Sequence, residues 1–274
     1  MTPTYQSGFA APGRGVPKYP ELWKGCVGAW NPGLGNSGLI LRDWSGRKNN
    51  GTLTNGPTWV PSDGKTALSF DGVNDYVSIP SFRYGTSFSV SIWVQPSALV
   101  GAQMILTKKV SGAGDANQSI QFFTNGSDVH FRVFSGVDKY IGRTAASVIT
   151  TAMQHLVTVY DGGTTAASIK IYRNGIQVDA ADSSGGVFTV FNDATIRTTL
   201  GVQNIDTTPQ NYFAGRLNDM LIYGRAIATN QIKLLATRPG IAYEMAPRKS
   251  YFLPPSPSSQ FYDVLAPSIF AGSI

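Results

Sequence analysis

The chain has 274 residues, with 22 lysines and arginines against 16 aspartates and glutamates, for a net charge of +6 at pH 7. The excess is moderate and spread out, and no nucleic-acid motif accompanies its one local cluster, Arg42, Arg47 and Lys48, so no specific nucleic-acid binding is expected. No apolar run approaches the ~20 residues that span a bilayer, and MTPTYQSGFAAPGRG lacks the basic start and apolar stretch of a signal peptide, so neither a membrane role nor a leader is expected.

In chain order, residues 1–24 carry Pro3, Pro12, Pro17 and Pro20 among Tyr5, Phe9, Tyr19 and Trp23, which reads as an extended arm. Cys26 follows in GCVGAW; a lone cysteine forms no internal disulfide and is expected as a small buried hydrophobe. In SFDGVNDYVSI, Phe70, Tyr76 and Ile79 flank a Gly/Asn/Asp cluster, the pattern of a hairpin. Phe88, Val90, Ile92 and Val94 alternate with Ser89, Ser91 and Trp93, a strand whose second face, carrying a tryptophan, is covered as well. Further alternating runs lie at Val129 to Phe134, Leu156 to Tyr160, Ile169 to Tyr172 and Met220 to Tyr223, with Arg173-Asn174-Gly175 as a type I′ turn signal.

Helical signal is confined to Thr229–Leu235, with Thr229 or Asn230 as N-cap and Pro239 and Gly240 as the stop. Residues 238–274 hold prolines at 239, 247, 254, 255, 257 and 267, again an extended arm. This arm is unlike a disordered linker, because Tyr251, Phe252, Phe261, Tyr262 and Phe270 are anchors that need a surface to bury against. Many short strands with Gly, Asn and Asp turns indicate a two-sheet antiparallel sandwich.

The phrases GCVGAW, RDWSGRKNNGTL, ALSFDGVNDYVSIP, FSVSIWVQP, HLVTVYDGG, IKIYRNGIQV and FAGRLNDMLIYGRAI, in that order, resemble the LamG-like branch of the concanavalin A-like jelly rolls. The resemblance implies an all-β sandwich with one short C-terminal helix, with residues 1–24 as N-terminal arm, 25–237 as the jelly roll and 238–274 as C-terminal arm. Jelly-roll glycosidases need paired carboxylates on one strand. Here the two glutamates, Glu21 and Glu244, fall outside the expected core, and His130 and His155 read as strand residues, so no catalytic residue is assigned and the chain is not expected to be an enzyme.

Relatives of this type often hold calcium through Asp and Asn oxygens near a sheet rim, which makes Asp43, Asn49, Asp71, Asp75 and Asp219 the candidate ligands. Asn218 stands where the first acid of the last phrase belongs, and Asn and Asp in such loops also serve plain turns. Calcium is the one cofactor these residues suggest, since two histidines and one cysteine speak against a transition-metal site. For a glycan, Trp44, Trp59, Tyr84 and Tyr140 in turn-rich segments are the candidate stacking rings; they equally suit capping of the sandwich edges.

The opening APGRGVPKYPELWKGCVGAW, the core and the exit LLATRPGIAYE together are similar to uncharacterised LamG-like proteins of tailed bacteriophages and prophages. That similarity implies a non-enzymatic virion component, a capsid decoration or surface module assembled in the host cytoplasm. Its partners would be other virion proteins such as the major capsid protein, further copies of itself, and cell-surface glycans. A free-standing glycan-binding module is the rival reading, and a glycosidase with a displaced site the third.

Overall fold

The computed structural model of the protein describes residues 16–34, 38–62, 65–109, 118–203 and 209–247. The arm anchors Tyr251, Phe252, Phe261, Tyr262 and Phe270 lie outside the described residues. Strands follow in chain order as β1 (Cys26–Trp30), β2 (Ile40–Leu41), β3 (Gly51–Thr54), β4 (Thr58–Ser62), β5 (Lys65–Asp71), β6 (Tyr76–Ile79), β7 (Phe88–Pro96), β8 (Ala102–Lys109) and β9 (Gln118–Asn125). They continue as β10 (Asp128–Gly136), β11 (Lys139–Ala145), β12 (Gln154–Tyr160), β13 (Ile169–Arg173), β14 (Ile176–Gln177), β15 (Ala181–Gly185), β16 (Thr198–Leu200) and β17 (Ala214–Tyr223), before the single helix α1 (Thr229–Leu235).

The strands form two antiparallel sheets, as the sequence pattern requires. One has eight strands in the order β14-β13-β12-β7-β17-β5-β4, with β1 also beside β17; the other has nine, in the order β15-β11-β10-β9-β8-β16-β6-β3-β2. Alternation places Phe88, Val90, Ile92, Val94, Leu156 and Tyr160 of the first sheet against Ile120, Phe122, Val129, Phe131 and Val133 of the second, one continuous core. Ring contacts at 5.0–6.0 Å link Phe88 to Phe131, Tyr160 and Phe191. At the turn between β13 and β14, Asn174 and Gly175 both have positive φ, the conformation a type I′ turn demands.

The Phe70–Ile79 segment is not a hairpin. β5 pairs with β4 and β17 in one sheet, whereas β6 pairs with β3 and β16 in the other. Asp71 Oδ1 accepts the backbone N–H groups of Val73, Asn74 and Asp75, and Asp75 Oδ2 accepts that of Asp71, so two carboxylates tie an arch between sheets. The turn chemistry is the same as in a hairpin; only the partners of the flanking strands differ.

The inner ends of both expected arms belong to the folded unit, which extends beyond residues 25 and 237. The outer face of the eight-stranded sheet presents Val157, Val159, Leu221 and Tyr223, apolar residues that cannot be left in water at this density. Leu22 and Trp23 cover them from the N-terminal side, and α1, Ile241 and Tyr243 from the C-terminal side. Trp23 meets Tyr243 edge-on at 5.2 Å, and its indole N–H donates to Ala242 O at 2.8 Å. The two segments also pair as backbone: Lys18 N–H donates to Glu244 O, and Ala246 N–H to Val16 O. The helix N-cap is Ala228, not Thr229 or Asn230. In place of a capping hydroxyl, Gln231 Oε1 accepts the Ala228 N–H while its Nε2 donates to Glu21 O, so one side chain holds the helix start to the N-terminal segment.

Candidate functional site

Across the outer face of the nine-stranded sheet, one register runs Thr52, Ser78, Thr199, Thr107, Gln121, Arg132, Gly142 and Ser183 through eight adjoining strands. These positions alternate with core residues, so their side chains point away from the core, and all but the glycine are polar. In mid-sheet the Thr107 and Thr199 hydroxyls lie 2.7 Å apart; one donates to the other, and the other to Val202 O, which is 3.0–3.1 Å from both. Toward β11 the polar row meets rings. Outward-facing Phe123 and His130 stand opposite each other on β9 and β10 and stack flat, 4.7 Å apart and 10° from parallel. Phe134 and Tyr140 face each other across β10 and β11 at 5.3 Å.

The Arg132 guanidinium lies between these pairs, 5.1 Å from the Phe123 ring and 4.8 Å from that of Tyr140. Tyr140 can lie low because β15 offers Gly185 there; a β carbon at that position would come within 2.5 Å of the ring. His130 Nδ1 shares a proton with the Thr144 hydroxyl, whereas His130 Nε2 and Arg132 Nε are enclosed without a partner. Burial, and then the charge of Arg132, hold the His130 pKa below the ordinary histidine range. Phe123 and Phe134 are buried, while His130, Arg132 and Tyr140 are half-exposed. The result is a layer of rings and one guanidinium, fixed from below, in which His130, Arg132 and Tyr140 keep partial exposure while Phe123, Phe134 and the neighbouring Gln121 are buried.

Of the four rings expected to stack a sugar, Tyr140 alone takes part in this layer, and from a strand, not a turn. Tyr84 is only 1% exposed and belongs to the core, where its hydroxyl bonds Thr198 and its ring meets Phe88; it cannot touch a ligand without unfolding the end of the sandwich. Trp59 lies on β4, half-buried, with its N–H donated to Gly38 O. Trp44 is half-buried beneath Arg42, 4.5 Å above it, and donates to Leu34 O.

The candidate calcium ligands do not gather, and among the described residues no three acidic, histidine or cysteine side chains assemble as a metal group. Asp43 is buried and accepts the N–H groups of Ala29, Ser45 and Asn49 together with the Ser45 hydroxyl. Asn49 sits in that same loop, its side chain donated to Val27 O. Asp71 and Asp75 tie the inter-sheet arch. Asp219 stands elsewhere again, at a bulge where β17 exchanges β5 for β1 as its neighbour, with a positive φ of 41°. Its oxygens take Gly240 N–H at 2.6 Å and the Asn31 amide at 3.5 Å, and burial pushes its pKa up to about 6. Each carboxylate is therefore engaged in fastening backbone.

The remaining titratable groups are structural in setting. His155 is buried on the sealed face, its Nε2 2.8 Å from Ser91 Oγ and its ring against Trp93, and burial alone lowers its pKa to about 3. Burial raises the Cys26 thiol to about 12, which leaves it unreactive. A cleft of about 600 Å³ at one end of the sandwich is lined by Arg83, Thr86, Phe191, Asn192 and Asp193. Behind it, Lys108, fully buried, meets Asp193 at 2.5 Å, and Asp193 also accepts the N–H groups of Tyr84 and Gly85. The carboxylate is thus satisfied from within the protein.

This architecture, a two-sheet sandwich with a polar and aromatic outer face, is that of a lectin-like module. The family described as the concanavalin A-like lectin/glucanases superfamily, laminin G type, matches residues 71–233, and the chain belongs to it. No curated protein sequence matches the chain. Among solved structures it is similar to domain 4 of AbnA, a GH43 extracellular arabinanase from Geobacillus stearothermophilus in complex with arabinotriose. The identity is 20% and the TM-score 0.59, over 77% of this chain and 98% of that one. The binding domain of Paraclostridial Mosquitocidal Protein 1 is similar at 16% identity and a TM-score of 0.58, over 78% of this chain and 52% of that one. Trypanosoma rangeli sialidase in complex with sialic acid follows at 16% and 0.56, over 78% of this chain and 33% of that one. The chain thus spans one domain's worth of the two larger proteins. No described helix is long and apolar enough to cross a membrane.

Proposed function

We propose that the protein is a non-catalytic glycan-binding module whose binding surface is the layer around Tyr140. The observation that carries this reading is the layer itself: a partly exposed phenol and guanidinium, held by stacking on buried rings, with the partly exposed His130 beside them. Sugars present a C–H face to such rings and hydroxyls to such polar neighbours. The arabinotriose complex of the arabinanase domain supports the class without locating the site. Catalysis is disfavoured because the two glutamates lie on the terminal segments. Glu21 sits within the short turn Pro20–Leu22, and Glu244 is engaged in exposed ion pairs with Lys18 and Arg238. Screening the full chain on a glycan array, beside a Tyr140→Ala variant shown by circular dichroism to be folded at the assay temperature, tests the reading. Loss of the wild-type signals in the variant is expected; an array without signal, or a variant that binds as the wild type does, overturns it.

A second reading, attachment to a virion or another particle through the terminal segments, is favoured by one observation. Residues 16–18 and 244–246 pair antiparallel, with a bridge between Pro17 and Met245, so the two ends of the described domain lie side by side. Two apolar segments starting from one point would act on one neighbour. Deleting residues 248–274 should abolish retention on particles or self-association and leave glycan binding intact; wild-type retention after the deletion would remove this role.

A further inference from the structure

We infer that the open face selects a sugar carrying a carboxylate, a uronate or a sialate, with Arg132 as the group that reads the acid; this rests on the glycan-binding reading above. Arg143 on the neighbouring strand shows what this protein does with an arginine whose work is structural: its guanidinium bonds both Asp179 and Asp182. Arg132 has no such match. It makes no hydrogen bond or ion pair, its Nε is enclosed without a partner, and its contacts are the two rings that hold it. A cation drawn partly out of water gains from a counter-charge, and the planar fork of a guanidinium fits a carboxylate through two parallel hydrogen bonds.

The surroundings narrow the ligand further. Arg132 is the one lysine or arginine at the outward positions of β9, β10 and β11. Asp128, at the far end of β10, is engaged by the Ser147 N–H. A single fixed positive charge suits one acidic group per sugar and not the dense charge of a polyphosphate or nucleic acid, which calls for several cations along a track. The spacing fits a ring sugar as well. With the guanidinium 4.8 Å from the Tyr140 centroid, a pyranose seated at the exposed edge of Tyr140 carries an exocyclic carboxylate within reach of Arg132. Because the rings already hold the guanidinium, little side-chain freedom remains to be lost on binding.

The test compares ligands that differ in the acid alone. Calorimetry on the full chain would use polygalacturonate against its methyl ester, and sialyllactose against lactose; the two pairs separate a uronate from a sialate. The acidic member of at least one pair should bind about ten- to a hundredfold more tightly, the worth of a charge-assisted hydrogen bond. Arg132→Gln should abolish that preference and leave the weaker neutral binding in place. Arg132→Lys should restore only part of it, since an ammonium has charge without the fork. Tyr140→Ala should weaken the acidic and neutral members together. Equal binding of acidic and neutral members by the wild type, or a preference that survives Arg132→Gln, overturns the role of Arg132 while glycan binding stands. Failure of the wild type to bind any of the four probes or any arrayed glycan overturns both. The ester and lactose comparisons need no variant, so misfolding of Arg132→Gln would not shield the proposal.

Discussion

The two sheets have outer faces of similar aromatic content that are finished in different ways. On the eight-stranded sheet, Val157, Val159, Leu221 and Tyr223 are sealed beneath Leu22, Trp23, α1, Ile241 and Tyr243, a second core. On the nine-stranded sheet, Phe123, His130, Arg132, Phe134 and Tyr140 shield one another sideways, and two of their nitrogens find no partner. Burial by other chain segments stabilises the first face. Stacking within the sheet fixes the second in place while His130, Arg132 and Tyr140 keep partial exposure. Aromatic content alone therefore does not separate a core from a binding surface; what matters is whether another part of the chain lies on top.

The largest effect should come from opening the sealed face. Trp23→Ala removes a buried indole, its edge contact with Tyr243 and its hydrogen bond to Ala242. Urea denaturation should show a loss of about 3–5 kcal/mol, the usual cost of truncating a large buried ring. A loss below about 1 kcal/mol would mean that the terminal segments rest on the sheet without supporting it, and the distinction between the faces would fail.

Acid should probe the sealed face more finely, because two buried groups there act with opposite signs. His155 falls from 6.5 to about 3 in the folded protein, so it contributes stability above its unfolded pKa that is lost as pH falls toward the folded value. Asp219 rises from 3.8 to about 6, so its contribution is fully present below pH 3.8 and is lost as pH rises through about 6. Each slope approaches about 1.4 kcal/mol per pH unit, and between pH 4 and 6 they cancel. With those two contributions cancelling, the lowered pKa of His130 should make the wild-type melting temperature rise only modestly with pH over that window. His155→Gln should leave a protein that loses stability as pH rises from 4 to 6, and Asp219→Asn one that gains it. Parallel profiles for the two variants would show that neither group is buried as described.

The period of two was legible in the sequence, and so were the doubly covered strand at Phe88 to Val94 and the Asn174-Gly175 turn, since each depends on neighbours in the chain. The arch at Asp71 to Asp75 was misread because turn chemistry does not reveal whether the next strand pairs with the last one or crosses to the other sheet. The candidate rings show the same limit. Tyr84 and Tyr140 look alike locally, yet one is core and the other surface. Tyr140 was named from the sequence, whereas Phe123 and Arg132 beside it were not, because their meeting depends on the registers of β9, β10 and β11. A trace of it was present in DVHFRVF, where His130 and Arg132 alternate with Val129, Phe131 and Val133 and so mark one outward edge. Of the residues expected as calcium ligands, Asp71 and Asp219 lie on strands, and the four aspartates use their oxygens on backbone N–H groups, a demand that composition does not display.

The smallest effect should come from the open face, and there the comparison can be made sharpest. Tyr140→Ala removes a half-exposed ring that touches Phe134 and the Arg132 guanidinium. An aromatic pair is worth about 0.5–1.5 kcal/mol and an exposed cation–π contact about 0.5–1 kcal/mol, and water reaches the vacated space, so urea denaturation should show a net loss of about 1 kcal/mol. The Arg132→Ala and Tyr140→Ala pair should couple by about 0.5–1 kcal/mol in a double-mutant cycle, because each group holds the other. Trp23→Ala and Tyr140→Ala lie on opposite sides of the molecule and should be additive. If Tyr140→Ala instead costs as much as Trp23→Ala, the ring is a structural support, the nine-stranded face is a second sealed surface, and a ligand site there loses its physical basis.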